Sequence, residues 1–179
     1  EVKVALPPSP LPPAPARTLG DLLDARPRPY HEALPVLLNV VRRIRQIQAG
    51  GEIHEPITPQ TVRLRRDGMP ELTAHPPVQA RDTRAIPAPR NSAPELLRGS
   101  FQPAEWRNES ATVYSLGLIF YEIVLGSERF AGQLPEVFQK NNDLAWLEWQ
   151  ANPEAHLAVL PVPEFPAEVS RFFERALAK

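Results

Sequence analysis

Proline placement decides where this chain can hold long helices. It carries 23 prolines in 179 residues, well over twice the usual share of about 5%. Three long stretches, 36–55, 104–134 and 167–179, contain none. An interior proline removes a backbone donor and clashes with the preceding turn, so these stretches are where long helices are expected. Six prolines crowd positions 7–15, inside the uncharged, glycine-free run 6–16. Such a run favours extended polyproline II and reads as a stiff spacer. A docking peptide for an aromatic groove requires more than proline density. Residues 1–17 are therefore expected to be a linker, and 18–179 a folded domain cut short at its C-terminal edge.

Local patterns fill in the domain. Thr18 with Asp21 three positions on gives a capping-box-like start for Leu19, Leu22 and Leu23, ended by Pro27 and Pro29. A long helix is predicted from about His31 to Gln48, tolerating Pro35 in its first turn. Leu34, Leu37, Leu38, Val41, Ile44 and Gln48 would form one face, and Arg42, Arg43 and Arg45 a solvated other. Gly50 and Gly51 stop it. Residues 62–73 alternate and reverse at Asp67-Gly68, predicting a small hairpin. Residues 74–92, with four prolines and three arginines, should be irregular. The run 110–125 is apolar at nearly every helical azimuth, so it should be a helix buried all round. A final helix follows Pro166, with Val169, Phe172, Phe173, Ala176 and Leu177 on one stripe.

Several function classes drop out. The chain has no cysteine, so thiolate metal sites, disulfides and cysteine nucleophiles are excluded. Its 20 basic and 21 acidic side chains leave a net charge of -1, against the basic face that a nucleic-acid binder needs. No apolar run approaches the roughly 18 residues that span a bilayer. The expectation is a cytoplasmic domain without direct membrane insertion, compatible with a place in a longer membrane-anchored protein. Glu52, His54, Glu55 and His75 lack metal-ligand spacing, so His54 reads as a structural histidine. Ser115 lacks the frame of a nucleophile elbow.

Four segments in order resemble the large, C-terminal lobe of a protein kinase. His54-Glu55-Pro56-Ile57-Thr58-Pro59-Gln60-Thr61-Val62 is similar to the catalytic loop His-Arg-Asp-x-Lys-Pro-x-Asn and the strand after it. Leu72-Thr73-Ala74-His75-Pro76 stands in the place of the metal-binding Asp-Phe-Gly. Ser92-Ala93-Pro94-Glu95-Leu96-Leu97 resembles the end of the activation segment. Residues 113–122, Val-Tyr-Ser-Leu-Gly-Leu-Ile-Phe-Tyr-Glu, resemble the central helix. The resemblance spans about 18–179 and implies a mainly α fold with a small β-hairpin. No small-lobe motif occurs in the chain: there is no glycine loop, strand lysine or helix glutamate.

The departures fall on the chemistry. Pro56 replaces the catalytic aspartate, Thr58 the lysine, Thr61 the metal-binding asparagine, and Ala74 the metal-binding aspartate. Phosphoryl transfer depends on those charges and oxygen ligands. Arg63 takes the apolar position under the adenine, so nucleotide binding is not expected, and no cofactor or metal is implied. Glu55 replaces the arginine that pairs with a phosphorylated activation loop. His54, Ala93, Pro94, Glu95, Thr112 and Gly117 are the retained structural positions. The Thr112 hydroxyl can keep one hydrogen bond to the loop, while the resemblance pairs Glu95 with an arginine beyond Lys179. The implied reading is a degenerate, inactive serine/threonine-type pseudokinase acting as a protein-interaction or regulatory scaffold. Two others stand beside it: an atypical enzyme that still binds nucleotide and transfers phosphate or another group through Glu52, Glu55 or residues of an upstream small lobe, and a purely architectural module of an assembly in which a partner replaces the small lobe. Trp146 and Trp149 are either core or, if exposed, partner anchors.

Overall fold

The computed structural model describes residues 17–23, 26–75, 89–97, 109–140, 143–159 and 165–178. The expectations for the spacer at 1–16 and for most of the irregular loop, at 76–88, lie outside these. The described chain is mostly helical, with a small antiparallel sheet. Strand β1 (Arg17–Thr18) opens it, taking in the last residue of the expected linker. A single 3-10 turn, Leu19–Leu22, follows; the Asp21 carboxylate accepts from the Thr18 backbone N–H at 2.6 Å, and Leu19 is fully buried.

Helix α1 runs over Tyr30–Ala49. Pro35 is its sixth residue, one turn deeper than expected. The carbonyl of His31 thereby loses its helical donor, and both residues are exposed to water. The buried stripe is Ala33, Leu37, Val40, Ile44 and Ile47. Leu34 and Leu38, expected in the core, are exposed. Two adjacent apolar stripes share the helix, and packing selects one of them.

After α1 come β2 (Ile53–His54), β3 (Arg63–Leu64), β4 (Pro70–Glu71) and β5 (Ala74–His75). β3 and β4 form the predicted hairpin, with Arg63 opposite Glu71 and Leu64 opposite Pro70. Gly68 turns it at φ 77°, a conformation strained for any side chain. β1 joins as a third strand in the order β1-β3-β4, which the alternation pattern alone did not suggest. β2 pairs antiparallel with β5 as a separate ribbon.

The apolar run forms α2 (Glu109–Leu125), buried at every residue from Tyr114 to Leu125. Val113 is the departure from burial all round, at 43% exposure. α2 packs against α1 and against the terminal helix α6 (Ala167–Ala176). A Cβ on Gly117 would stand 2.8 Å from the Cβ of Ala176, so glycine sets how closely α2 and α6 approach. In α6, Phe173 and Ala176 are buried but Phe172 faces outward. Between these lie α3 (Ser127–Gln133), α4 (Pro135–Lys140) and α5 (Asp143–Ala151). The last two fill a further proline-free stretch, 136–152, with Pro135 as the first residue of α4. α5 packs on two 3-10 turns, Pro89–Asn91 and Pro94–Leu97.

Candidate functional site

The loop from His54 to Thr61 is held at both ends. At its start, pairing of β2 with β5 sets His54 opposite Ala74, so the positions resembling the catalytic loop and the metal-binding motif are neighbours. His54 is buried, and its Nδ1 lies 2.7 Å from the carbonyl of Glu55. A carbonyl only accepts, so Nδ1 carries the proton and the ring acts as a structural clamp. The Glu55 backbone N–H donates to Thr73 O at 3.1 Å, and its carboxylate accepts from the Thr73 N–H at 3.2 Å. One oxygen of that carboxylate is thus bonded to backbone.

At the other end, two hydroxyls satisfy each other and the turn around them. Thr61 Oγ1 donates to the carbonyl of Pro56 at 2.6 Å and accepts from the Thr58 N–H at 2.9 Å. Thr58 Oγ1 donates to Thr61 Oγ1 at 3.2 Å and accepts from the N–H groups of Thr61 at 3.1 Å and Gln60 at 3.3 Å. A hydroxyl offers one donor and two lone pairs. Both oxygens are therefore fully used in this conformation, leaving no lone pair for a cation. Pro56 and Ala74 bring no side-chain ligand. Arg63 is exposed on β3 between Thr18 and Glu71. Among the described residues, no group of three His, Cys, Asp or Glu side chains converges as a metal site.

A cavity of about 20 Å³ lies behind the loop, lined by His54, Pro56, Ile57, Ser92 and Thr112 among others. That volume suits about one water and is far below a nucleotide-sized pocket. The expected hydrogen bond from Thr112 to the loop is not formed: among the described residues its hydroxyl has no partner there. A threonine reaches less far than an aspartate, and Thr58 and Thr61 already satisfy the turn.

The segment resembling the end of an activation segment is anchored by a residue outside the motif positions. Asn91, Ser92 and Ala93 are buried, while Glu95 stays exposed. Arg90 pairs with Glu122, a carboxylate 3% exposed in the wall of α2. Its guanidinium stands 5.9, 5.3 and 5.5 Å from the ring centres of Phe130, Phe138 and Trp146. Ser127 Oγ adds a 3.0 Å hydrogen bond to Glu122. A buried carboxylate is tolerated where a cation and donors meet it, and aromatic faces stabilise that cation further. Glu122 was the legible half of this pair, a lone charge in an apolar helix. Arg90, 32 residues away, carried no local signal.

This cage decides between the two readings of Trp146. Trp146 is 6% exposed and stacks on Phe130, so it is core rather than an exposed anchor. Trp149 is half-buried, edge-on to Trp146 at 5.8 Å. Nearby, the Tyr114 hydroxyl donates to Gln150 Oε1 at 2.7 Å inside the core. Burial pushes its pKa well above the ordinary value, the hydrogen bond to Gln150 opposes that rise, and the charge of Glu95 adds to it.

No family model matches the chain. Among curated proteins it is similar to a probable serine/threonine-protein kinase of Clostridium perfringens, with 27% identity over 128 residues. The match covers 66% of this chain and only 18% of that relative, so it concerns a small part of the larger protein. Among the described residues, no single helix is long and apolar enough to cross a membrane.

Proposed function

We propose that this domain is a catalytically inactive, kinase-like large lobe that works through protein contacts, as a regulatory or scaffolding module of a cytoplasmic protein or cytoplasmic region. The observation that carries this is the closed hydroxyl pair Thr58–Thr61, standing where the resemblance puts a lysine and a metal ligand. Pro56 and Ala74 add no carboxylate beside it. Removing an oriented general base alone costs roughly 10²–10⁴ in rate. The metal-ligand positions are also without charge, which removes the means of holding magnesium against phosphates. The one carboxylate of the loop, on Glu55, has one oxygen bonded to the Thr73 backbone and is the residue to test as an alternative base.

Two measurements test the reading on the purified chain. Calorimetric titration with ATP and magnesium should give no saturable heat, and radiolabelled ATP should transfer no phosphate to a general protein substrate. Transfer that survives repurification and disappears in the Glu55→Gln variant would make the domain an enzyme of non-standard design.

A further inference from the structure

Three parts of the fold share the small cavity behind the loop at 54–61. His54 reaches it from the loop, Asn91 from the 3-10 turn Pro89–Asn91, and Thr112 from the first turn of α2. All three are buried, at 5%, 4% and 9% exposure. Pro56, Ile57 and Leu96 give the cavity, of about 20 Å³, an apolar wall. Among the described residues, no carboxylate, lysine or arginine lines it.

Each of the three brings hydrogen-bonding capacity that the protein leaves over. The Nδ1 proton of His54 goes to the Glu55 carbonyl, so Nε2 keeps its lone pair and is an acceptor. The Thr112 hydroxyl and the Asn91 amide have no hydrogen-bond partner among the described residues. Ser115, on the same wall, differs: its hydroxyl donates to the Ala111 carbonyl at 2.9 Å. Buried polar groups in native proteins are paired, with ordered solvent where the chain offers nothing. A water needs roughly 10–15 Å³ and two to four polar partners, and this cavity meets both conditions.

We infer that this cavity is the binding site of one ordered water, which donates to His54 Nε2, accepts from the Thr112 hydroxyl and bonds to the Asn91 amide. Water fits better than an ion because the partners are neutral and mix donors with acceptors. The Thr112 hydroxyl does not meet the loop itself, and a bridging water lengthens its reach by about 2.8 Å. The water thereby ties the loop, the segment at 90–97 and α2 together at one point. It is a positioning element: it holds the His54 ring by its second nitrogen while the Glu55 carbonyl holds the first. The site stands on this geometry alone and goes beyond the reading of the domain as an inactive interaction module.

The test combines a crystal structure of the 179-residue chain, at a resolution that shows ordered solvent, with thermal melting of variants. One solvent peak is expected within about 2.6–3.2 Å of His54 Nε2, Thr112 Oγ1 and the Asn91 amide. Thr112→Val is nearly isosteric and separates the alternatives by sign. If the hydroxyl holds the water, valine should lower Tm by about 2–4 °C. If the hydroxyl is merely buried and unpaired, valine should leave Tm unchanged or raise it. Asn91→Leu should also lower Tm, and the double variant should lose clearly less than the two single losses added, because both remove bonds to the same water. Thr112→Ser keeps the hydroxyl and should keep the solvent peak. No peak, contacts as short as those of a metal ion, a valine variant as stable as wild type, or fully additive losses would each overturn the proposal. The ATP experiments above are independent: phosphoryl transfer would overturn the inactive reading and leave the water site standing.

Discussion

The loop at 54–61 and the segment at 90–97 lie on the same side of α2, yet they treat charge in opposite ways. The loop has lost ionic side chains at the positions resembling catalytic ones and closes on itself through two neutral hydroxyls. The segment has a buried ion pair, Arg90–Glu122, roofed by three aromatic rings. Charge here is kept as an anchor for packing, while the turn of the loop is satisfied locally by its own hydroxyls. In the kinase resemblance, ordering of this segment draws on phosphate. In this chain an arginine supplies the order permanently, so the segment end should stay fixed without modification.

The contrast can be broken most severely at Arg90. Arg90→Ala leaves Glu122 buried beside only Ser127, and urea denaturation should show a loss of about 3 kcal/mol. Adding Glu122→Leu should recover part of it, since leucine removes the unpaired buried charge while the space left by the arginine stays unfilled. If the single variant melts like wild type, the anchor is ornamental. Next in size is Gly117→Val, which forces α2 and α6 apart at the 2.8 Å approach and should cost about 2 kcal/mol. Thr61→Val tests the loop itself: the Pro56 carbonyl and Thr58 N–H lose their partner, at about 1 kcal/mol, with no gain or loss of ATP binding.

The smallest effect is a pH dependence. Tyr114 has its folded pKa raised above the ordinary value near 10, chiefly by burial. Below that value the residue is neutral in both states, and its contribution is fully present. Above it the unfolded chain ionises while the folded chain holds the proton, so stability falls as pH rises. An alkaline stability scan should show this slope flattened in Tyr114→Phe relative to wild type.

Much of the fold was legible because its punctuation is chemical. Prolines bound α1, the Asp67-Gly68 turn fixed the hairpin, and an all-apolar run could only be an interior helix. The facing of α1 was less legible. Leu34 and Leu38 sit beside the Ala33–Leu37–Val40 stripe, and periodicity cannot choose between adjacent stripes when both are apolar. In the loop, sequence showed which charges were absent from Thr58 and Thr61, but the way the two hydroxyls saturate each other depends on backbone geometry. Arg90 was invisible for a different reason: its partner lies across the fold, and the intervening 31 positions carry no periodic signal.

The pairing of β1 ties the start of the described chain to the turn at 58–61. Tension arriving through Arg17 is received by two registered pairs with β3, then by the Leu19 N–H bond to Val62 O at 3.0 Å and the Gly20 N–H bond to Pro59 O at 2.8 Å. Pro59 lies between Thr58 and Thr61. A pull on the chain upstream would therefore pass through the β1–β3 pairs to the hydroxyl-locked turn before it reaches the helical core.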